Sequence, residues 1–216
     1  MSKIKTKNKL TEEEKRLVLK TLEKRTKGLK IEGICIYGSR ISGYAKSHSD
    51  YDLIVVINNY KQKIRYQYIF DQIEISAIFV DSNALQNDAK NAELGEFVIG
   101  RLLNPYEPIV NSDFFYKIEY EYKHRVIVET IDELHSEYSF LIQFILIPID
   151  YFLFKRLRQR IRIYPPVKYS YTMTYGGNQK NMNMKTSLKL FKLCLKELHQ
   201  SGKIVYDNKF VRLKVK

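Results

Sequence analysis

Ile34-Cys35-Ile36-Tyr37-Gly38-Ser39-Arg40 is separated by a ten-residue step from Asp50-Tyr51-Asp52-Leu53-Ile54-Val55-Val56. The text reads as a strand, a tight Gly-Ser turn, a short helix and loop, and a second strand that begins with two carboxylates. Side chains alternate faces along a strand, so Asp50 and Asp52 point the same way. Two carboxylates side by side repel unless a cation or proton sits between them. A hard divalent cation takes a few carboxylates together with phosphate oxygens and water. Glycine lets backbone approach a ligand closely, and amides at a following helix N-terminus attract phosphate. A phosphate cradle beside a carboxylate pair is equipment for metal-assisted phosphoryl or nucleotidyl transfer.

Gly38-Ser39, ten residues, then Asp50-x-Asp52 and an apolar strand resembles the nucleotidyltransferase superfamily typified by DNA polymerase β. The fuller text, Gly38-Ser39-Arg40-x-x-Gly43 and Ser49-Asp50-Tyr51-Asp52-Leu53, is similar to its small prokaryotic members. The resemblance implies transfer of a nucleoside monophosphate from an NTP to an acceptor hydroxyl, with Mg²⁺ or Mn²⁺ held by Asp50 and Asp52. It also implies a third carboxylate on the strand beside the Asp-x-Asp strand. Glu74, within the apolar run 73–80, matches by position. A lone glutamate in a central apolar strand is expensive to bury unpaired, and a metal ion shared with Asp50 and Asp52 would serve it. Asp71 and Asp81 flank that strand and suit turn caps. On this reading Asp50, Asp52 and Glu74 are catalytic and ligate metal. Gly38 and Ser39 hold the terminal phosphates, Arg40 and the more distant Lys46 neutralise them, and His48 has no assigned role.

The 216-residue chain carries a net charge of +13, which suggests a polyanionic partner. A basic surface without a partner gives the same number. Cys35 and Cys194 lie far apart in apolar patterns and read as reduced and buried. No apolar core follows the N-terminal lysines, so a signal peptide is not expected. The apolar stretch 141–154 is interrupted by Gln143, Pro148 and Asp150 and is too short to span a bilayer. It reads as a buried helix, and the expectation is a cytoplasmic protein that meets no membrane.

Taken in order, residues 1–9 read as a frayed tail and Thr11 to Glu14 as a capping box opening a helix to about 27. Strands are expected over 31–37, 50–57 and 73–80, with a short fourth from Pro108. Helices are expected over 60–71, 82–90 (capped by Ser82) and 93–103. The expected architecture is α+β: a mixed sheet backed by helices in 1–112, then a mostly helical, basic unit in 113–216. That second unit reads as two helices broken at Pro148, a tyrosine-rich irregular segment 164–177 and a polar linker 178–185. A helix over 186–200 and a hairpin turned at Asp207-Asn208 follow. Helix, glycine stop and basic hairpin are winged-helix-like in pattern.

Residues 155–162 hold five cations in eight positions. Such a run is usually a solvated face. It can also grip phosphates, with Lys155, Arg158 and Arg162 forming the compact stripe. Tyr169 and Tyr171 beside it suit stacking on unpaired bases, or packing across the domain. RNA is therefore the leading acceptor. A partner protein that receives AMP, a small molecule, and a non-catalytic nucleotide-sensing or DNA-binding regulator are the alternatives. The positive charge disfavours a cationic antibiotic as acceptor, and the intact carboxylates disfavour a dead enzyme.

Overall fold

The computed structural model describes residues 9–214. The expected N-terminal tail lies, except for Lys9, outside the described residues. Helix α1 (Glu12–Thr26) opens with the expected capping box: Glu14 N–H donates to Thr11 Oγ1 at 3.1 Å and Thr11 N–H to Glu14 Oε2 at 2.6 Å. Strand β1 (Ile31–Tyr37), the four-residue helix α2 (Ser39–Ser42) and strand β2 (Tyr51–Ile57) follow as the motif requires. Strands β3 (Ile64–Phe70), β4 (Glu74–Asp81) and β5 (Glu107–Val110) complete a five-stranded sheet in the order β3-β4-β2-β1-β5. Only the β2–β4 pair is parallel.

The sheet is apolar on both faces. Leu53, Val55 and Ile57 of β2 join Ile75, Ala77 and Phe79 of β4 under α1. The opposite faces, Ile54 and Val56 with Ile78 and Val80, meet α3 (Ser82–Asn91) and the long α4 (Ser112–Tyr138). That second core runs without interruption into α5 (Ile149–Ile163), α6 (Val167–Gly176) and α7 (Lys180–Gln200). Helix α4 starts at Ser112, and its Phe115 packs against Gly33 of β1. The C-terminal hairpin is β7 (Ile204–Tyr206) and β8 (Phe210–Leu213). The two-residue strand β6 (Ile147–Pro148) joins it as a third strand, in the order β6-β8-β7.

Several sequence readings are corrected. Residues 60–71 are not a helix: 64–70 is the edge strand β3, whose residues alternate Ile64, Tyr66, Tyr68, Phe70 on one face. Residues 93–103 are turns ending in a 3-10 helix (Ile99–Leu103), because Asp88 accepts the backbone N–H groups of Leu94, Glu96 and Ile99 and folds the chain around itself. Helix α3 is capped by Asp81, not Ser82; its Oδ1 accepts Ala84 N–H at 3.0 Å. The apolar stretch 141–154 is not one buried helix, since a 3-10 turn (Ser139–Phe144) with Phe140, Leu141 and Phe144 exposed precedes β6 and α5. The tyrosine-rich segment is the regular helix α6, and the supposed linker 178–185 mostly belongs to α7.

Candidate active site

The site lies where β1 ends and β2 and β4 begin. Gly38 turns the chain out of β1 with φ at 78°, a conformation glycine adopts without strain. It is also required sterically, because a Cβ there would stand 2.1 Å from Asp52 Oδ2. Asp52 is thus pressed against the Gly-Ser turn, as the sequence motif anticipates. Ser39 follows immediately as the first residue of α2, and its carbonyl accepts Gly43 N–H at 2.9 Å and Tyr44 N–H at 3.0 Å.

Register fixes the carboxylates. In the parallel β2–β4 ladder Asp52 stands opposite Ser76, and Tyr51 opposite Ile75. Alternation then puts Asp50, Asp52, Glu74 and Ser76 on one face, the face that carries Ile54 and Ile78. Burial raises the Asp52 carboxyl to about 7, with the charge of Asp50 adding to the effect and Arg101 and Arg40 opposing it. Glu74 is exposed at the first position of β4, not buried, and its Oε2 accepts the Tyr68 hydroxyl at 3.2 Å. The charge of Asp50, after burial, helps to raise that hydroxyl above its ordinary value, so Tyr68 lies within the field of both carboxylates. Among the described residues no three His, Cys, Asp or Glu side chains stand close enough together to hold one ion. Asp71 and Asp81 act as caps: Asp71 accepts Gln72 N–H, and Asp81 accepts Tyr60 N–H at 2.8 Å besides capping α3.

Residues 18–98 match the family model described as "Polymerase beta, Nucleotidyltransferase". Over this segment the chain is similar to polymerase β-type nucleotidyltransferases. No curated protein matches the chain. The matched span contains Gly38, Ser39, both aspartates and Glu74, and it ends before the helical half of the chain.

The cations around the carboxylates are placed differently from expectation. Arg40 is engaged in holding the loop that leads into β2. Its Nε donates to the Asp50 carbonyl at 3.1 Å and its Nη2 to the Ser49 carbonyl, and the guanidinium lies 3.8 Å from the Tyr51 ring centroid. Lys46 is exposed on the same loop, where its N–H donates to Ser49 Oγ. The cation facing Asp52 together with Arg40 is Arg101, which sequence reasoning missed. It comes from the 3-10 helix, lies 5.6 Å from the Tyr37 ring centroid, and its buried Nε has no acceptor among the described residues. Tyr37 is in turn the strand partner of Asp52. The available signal was an arginine inside the apolar run 98–103.

The helical half reaches this site. Tyr44 follows α2; burial, with the charge of Asp52 adding to it and Thr174 of α6 opposing it, pushes its hydroxyl up to about 12. Tyr169 of α6 meets the Tyr44 ring edge-on at 6.4 Å and is itself exposed. Asn183 of α7, buried, donates to the Ser42 carbonyl at 3.0 Å and the Thr174 carbonyl at 2.9 Å. Helices α6 and α7 therefore brace the Gly-Ser turn from above.

The basic run 155–162 divides by face. Lys155 pairs with Glu133 at 2.6 Å. Arg156 pairs with Glu96 at 3.2 Å and with Glu129. Arg160 is buried, with Nε donating to the Tyr171 hydroxyl at 2.8 Å and Nη1 to the Glu96 carbonyl. Gly100 makes that possible, since a Cβ there would sit 1.8 Å from Arg160 Nη1. Tyr171 is buried as this partner and presents no ring to solvent. The expected nucleic-acid stripe thus shrinks to Arg158 and Arg162, both exposed, with Tyr169 exposed against the Tyr44 ring.

Proposed function

We propose that the protein transfers a nucleoside monophosphate from an NTP to an acceptor hydroxyl, with RNA as the acceptor. The observation that carries the reading is the geometry around Gly38: a Gly-Ser turn packed directly against Asp52, with Asp50 and Glu74 on the same strand face. The match of residues 18–98 to a nucleotidyltransferase family model supports it.

The donor set fits a divalent cation. Asp50 and Asp52 are hard oxygen donors whose mutual repulsion a cation relieves. A bound Mg²⁺ would lower the pKa of the acceptor hydroxyl and neutralise charge on the leaving pyrophosphate. In this reading Gly38 and Ser39 bind the triphosphate. The acceptor oxygen attacks the α-phosphorus as the α–β anhydride bond breaks. Glu74 accepts the hydroxyl proton, and Tyr68, hydrogen-bonded to it, orients its carboxylate. Arg101 takes the phosphate-neutralising role expected of Arg40, whose donors are already engaged by backbone. The net charge of +13 and the exposed Arg158 and Arg162 favour a polyanionic acceptor.

The test is incubation with each labelled NTP, Mg²⁺, total cellular RNA and a protein extract, with Asp52→Asn as control. Label in RNA that depends on Asp52 is the expected result. Label in protein alone would move the acceptor to a polypeptide. No label in any fraction, at protein concentrations where NTP binding is saturated, would overturn transfer itself.

A further inference from the structure

Strand order places the parts of the site in a line. From one edge of the sheet to the other run β3, β4, β2, β1 and β5. The Gly38-Ser39 turn leaves β1, the aspartates belong to β2, and Glu74 belongs to β4. If triphosphate sits at the turn, the acceptor must enter from the far side of the carboxylates, over β3. That strand shows an exposed aromatic row on the carboxylate face: Tyr66 at 58% exposure, Tyr68 at 38% and Phe70 at 73%. Large aromatics exposed side by side on an edge strand need a reason, because such an edge invites non-specific pairing.

The rings are held in place. Tyr66 shares a hydrogen bond with Ser76 Oγ at 2.8 Å, on the β4 position opposite Asp52. Tyr68 donates to Glu74. Phe70 packs on Tyr68 with ring centroids 4.7 Å apart. Successive members of the row are spaced by about 7 Å along the strand. Rings fixed before binding lose little rotamer freedom on contact. Their exposed faces offer stacking that every base accepts, because every base has a π-face.

We propose that the Tyr66–Tyr68–Phe70 row is the acceptor platform, on which the terminal bases of a single-stranded RNA stack so that its end hydroxyl reaches Glu74. The inference rests on the transfer reading above and goes beyond it by assigning the acceptor's entry side and binding surface. Nucleic acid is favoured over a polypeptide because the row offers exposed flat aromatic faces on a chain of net charge +13.

The experiment uses the full chain with Phe70→Ala, Tyr66→Ala and the double variant. The probes are a fluorescent single-stranded 12-mer RNA, titrated at several salt concentrations, and a fluorescent ATP analogue with Mn²⁺. Phe70→Ala alone should weaken RNA binding at least about fivefold, and the double variant by about 100-fold. The salt slope should stay unchanged, because stacking releases few ions, and the ATP analogue should bind as it does to wild type. In the labelling assay the double variant should raise the KM for RNA without altering label transfer at saturating RNA. Unchanged RNA affinity and KM in the double variant, while wild type labels RNA, would overturn this inference and leave the transfer reading standing. Wild-type label entering protein but not RNA would overturn it as well. Loss of ATP-analogue binding in Asp52→Asn and wild type alike would instead locate the failure in the transfer reading.

Discussion

Replacing Asp52 by Asn should stabilise the metal-free protein while abolishing turnover. Burial, then the neighbouring Asp50, hold the folded-state carboxyl near 7 against an ordinary value of 3.8. A group whose folded pKa is raised keeps its full contribution below the unfolded pKa and loses stability as pH rises through the folded one. The window here runs from about pH 4 to about pH 7. A shift of about three units corresponds to a ceiling of ~4 kcal/mol lost by neutral pH. Asn has the same shape and no charge, but its amide must find partners at a cost of about 1 kcal/mol. The net gain above pH 7 in EDTA is therefore about 1–3 kcal/mol, or about 2–10 °C in Tm for a chain of this size. Thermal melts from pH 5 to 8.5 in EDTA and in Mg²⁺ read it out. Wild type should lose Tm across that window relative to Asp52→Asn, and Mg²⁺ should close the gap by binding the native carboxylates. Parallel pH curves, or a variant that melts lower at pH 8 in EDTA, would refute the strained-pair reasoning. Arg101 and Arg40 would then already balance the charge.

Gly38→Ala combines a strained positive φ, worth about 1–2 kcal/mol, with a Cβ placed 2.1 Å from Asp52 Oδ2; turnover should fall far more than Tm, and equal loss of both would count against the turn's role. Glu96→Ala removes the partner of Arg125 at 2.7 Å, Arg156 at 3.2 Å and the Tyr122 hydroxyl at 2.7 Å, so unfolding free energy in urea should drop by about 3–5 kcal/mol. Changing Arg158 and Arg162 together to Gln should make the slope of log RNA affinity against log salt shallower by about 1.4, with melting unchanged because both side chains are exposed. An unaltered slope would leave RNA to be held elsewhere.

The parts of the site that could be read from the sequence are those where local pattern and tertiary role agree. Two apolar strands joined by Gly-Ser and closed by Asp-x-Asp have one sensible pairing, and β1 with β2 adopts it. Glu74 was placed on the right face by alternation, yet its burial was misjudged, since the first residue of a central strand still reaches solvent. Strand β3 was hidden by an ambiguity of period. Ile64 and Tyr68 are four residues apart and mimic a helix face, while the alternation that identifies the strand puts its aromatics outward, where burial arguments do not look.

The basic run shows the other limit. A charge run reads as solvated because the sequence window contains no counter-charge. Here the counter-charges Glu129 and Glu96 stand 27 and 60 residues before Arg156, on α4 and in the turn ahead of it. Once Glu96 is buried at 5% exposure, its carboxylate and carbonyl must be satisfied, and Arg125, Arg156 and Arg160 converge on it from two helices. The same convergence carries Gly100 past Arg160, in the 3-10 helix that also carries Arg101, whose charge opposes the rise of the Asp52 carboxyl. Arg156 and Arg160 of the run are thus spent on satisfying Glu96, while Arg158 and Arg162 stay exposed. That arrangement ties α5 to the segment that carries Gly100 and Arg101, which local sequence around either one does not reveal.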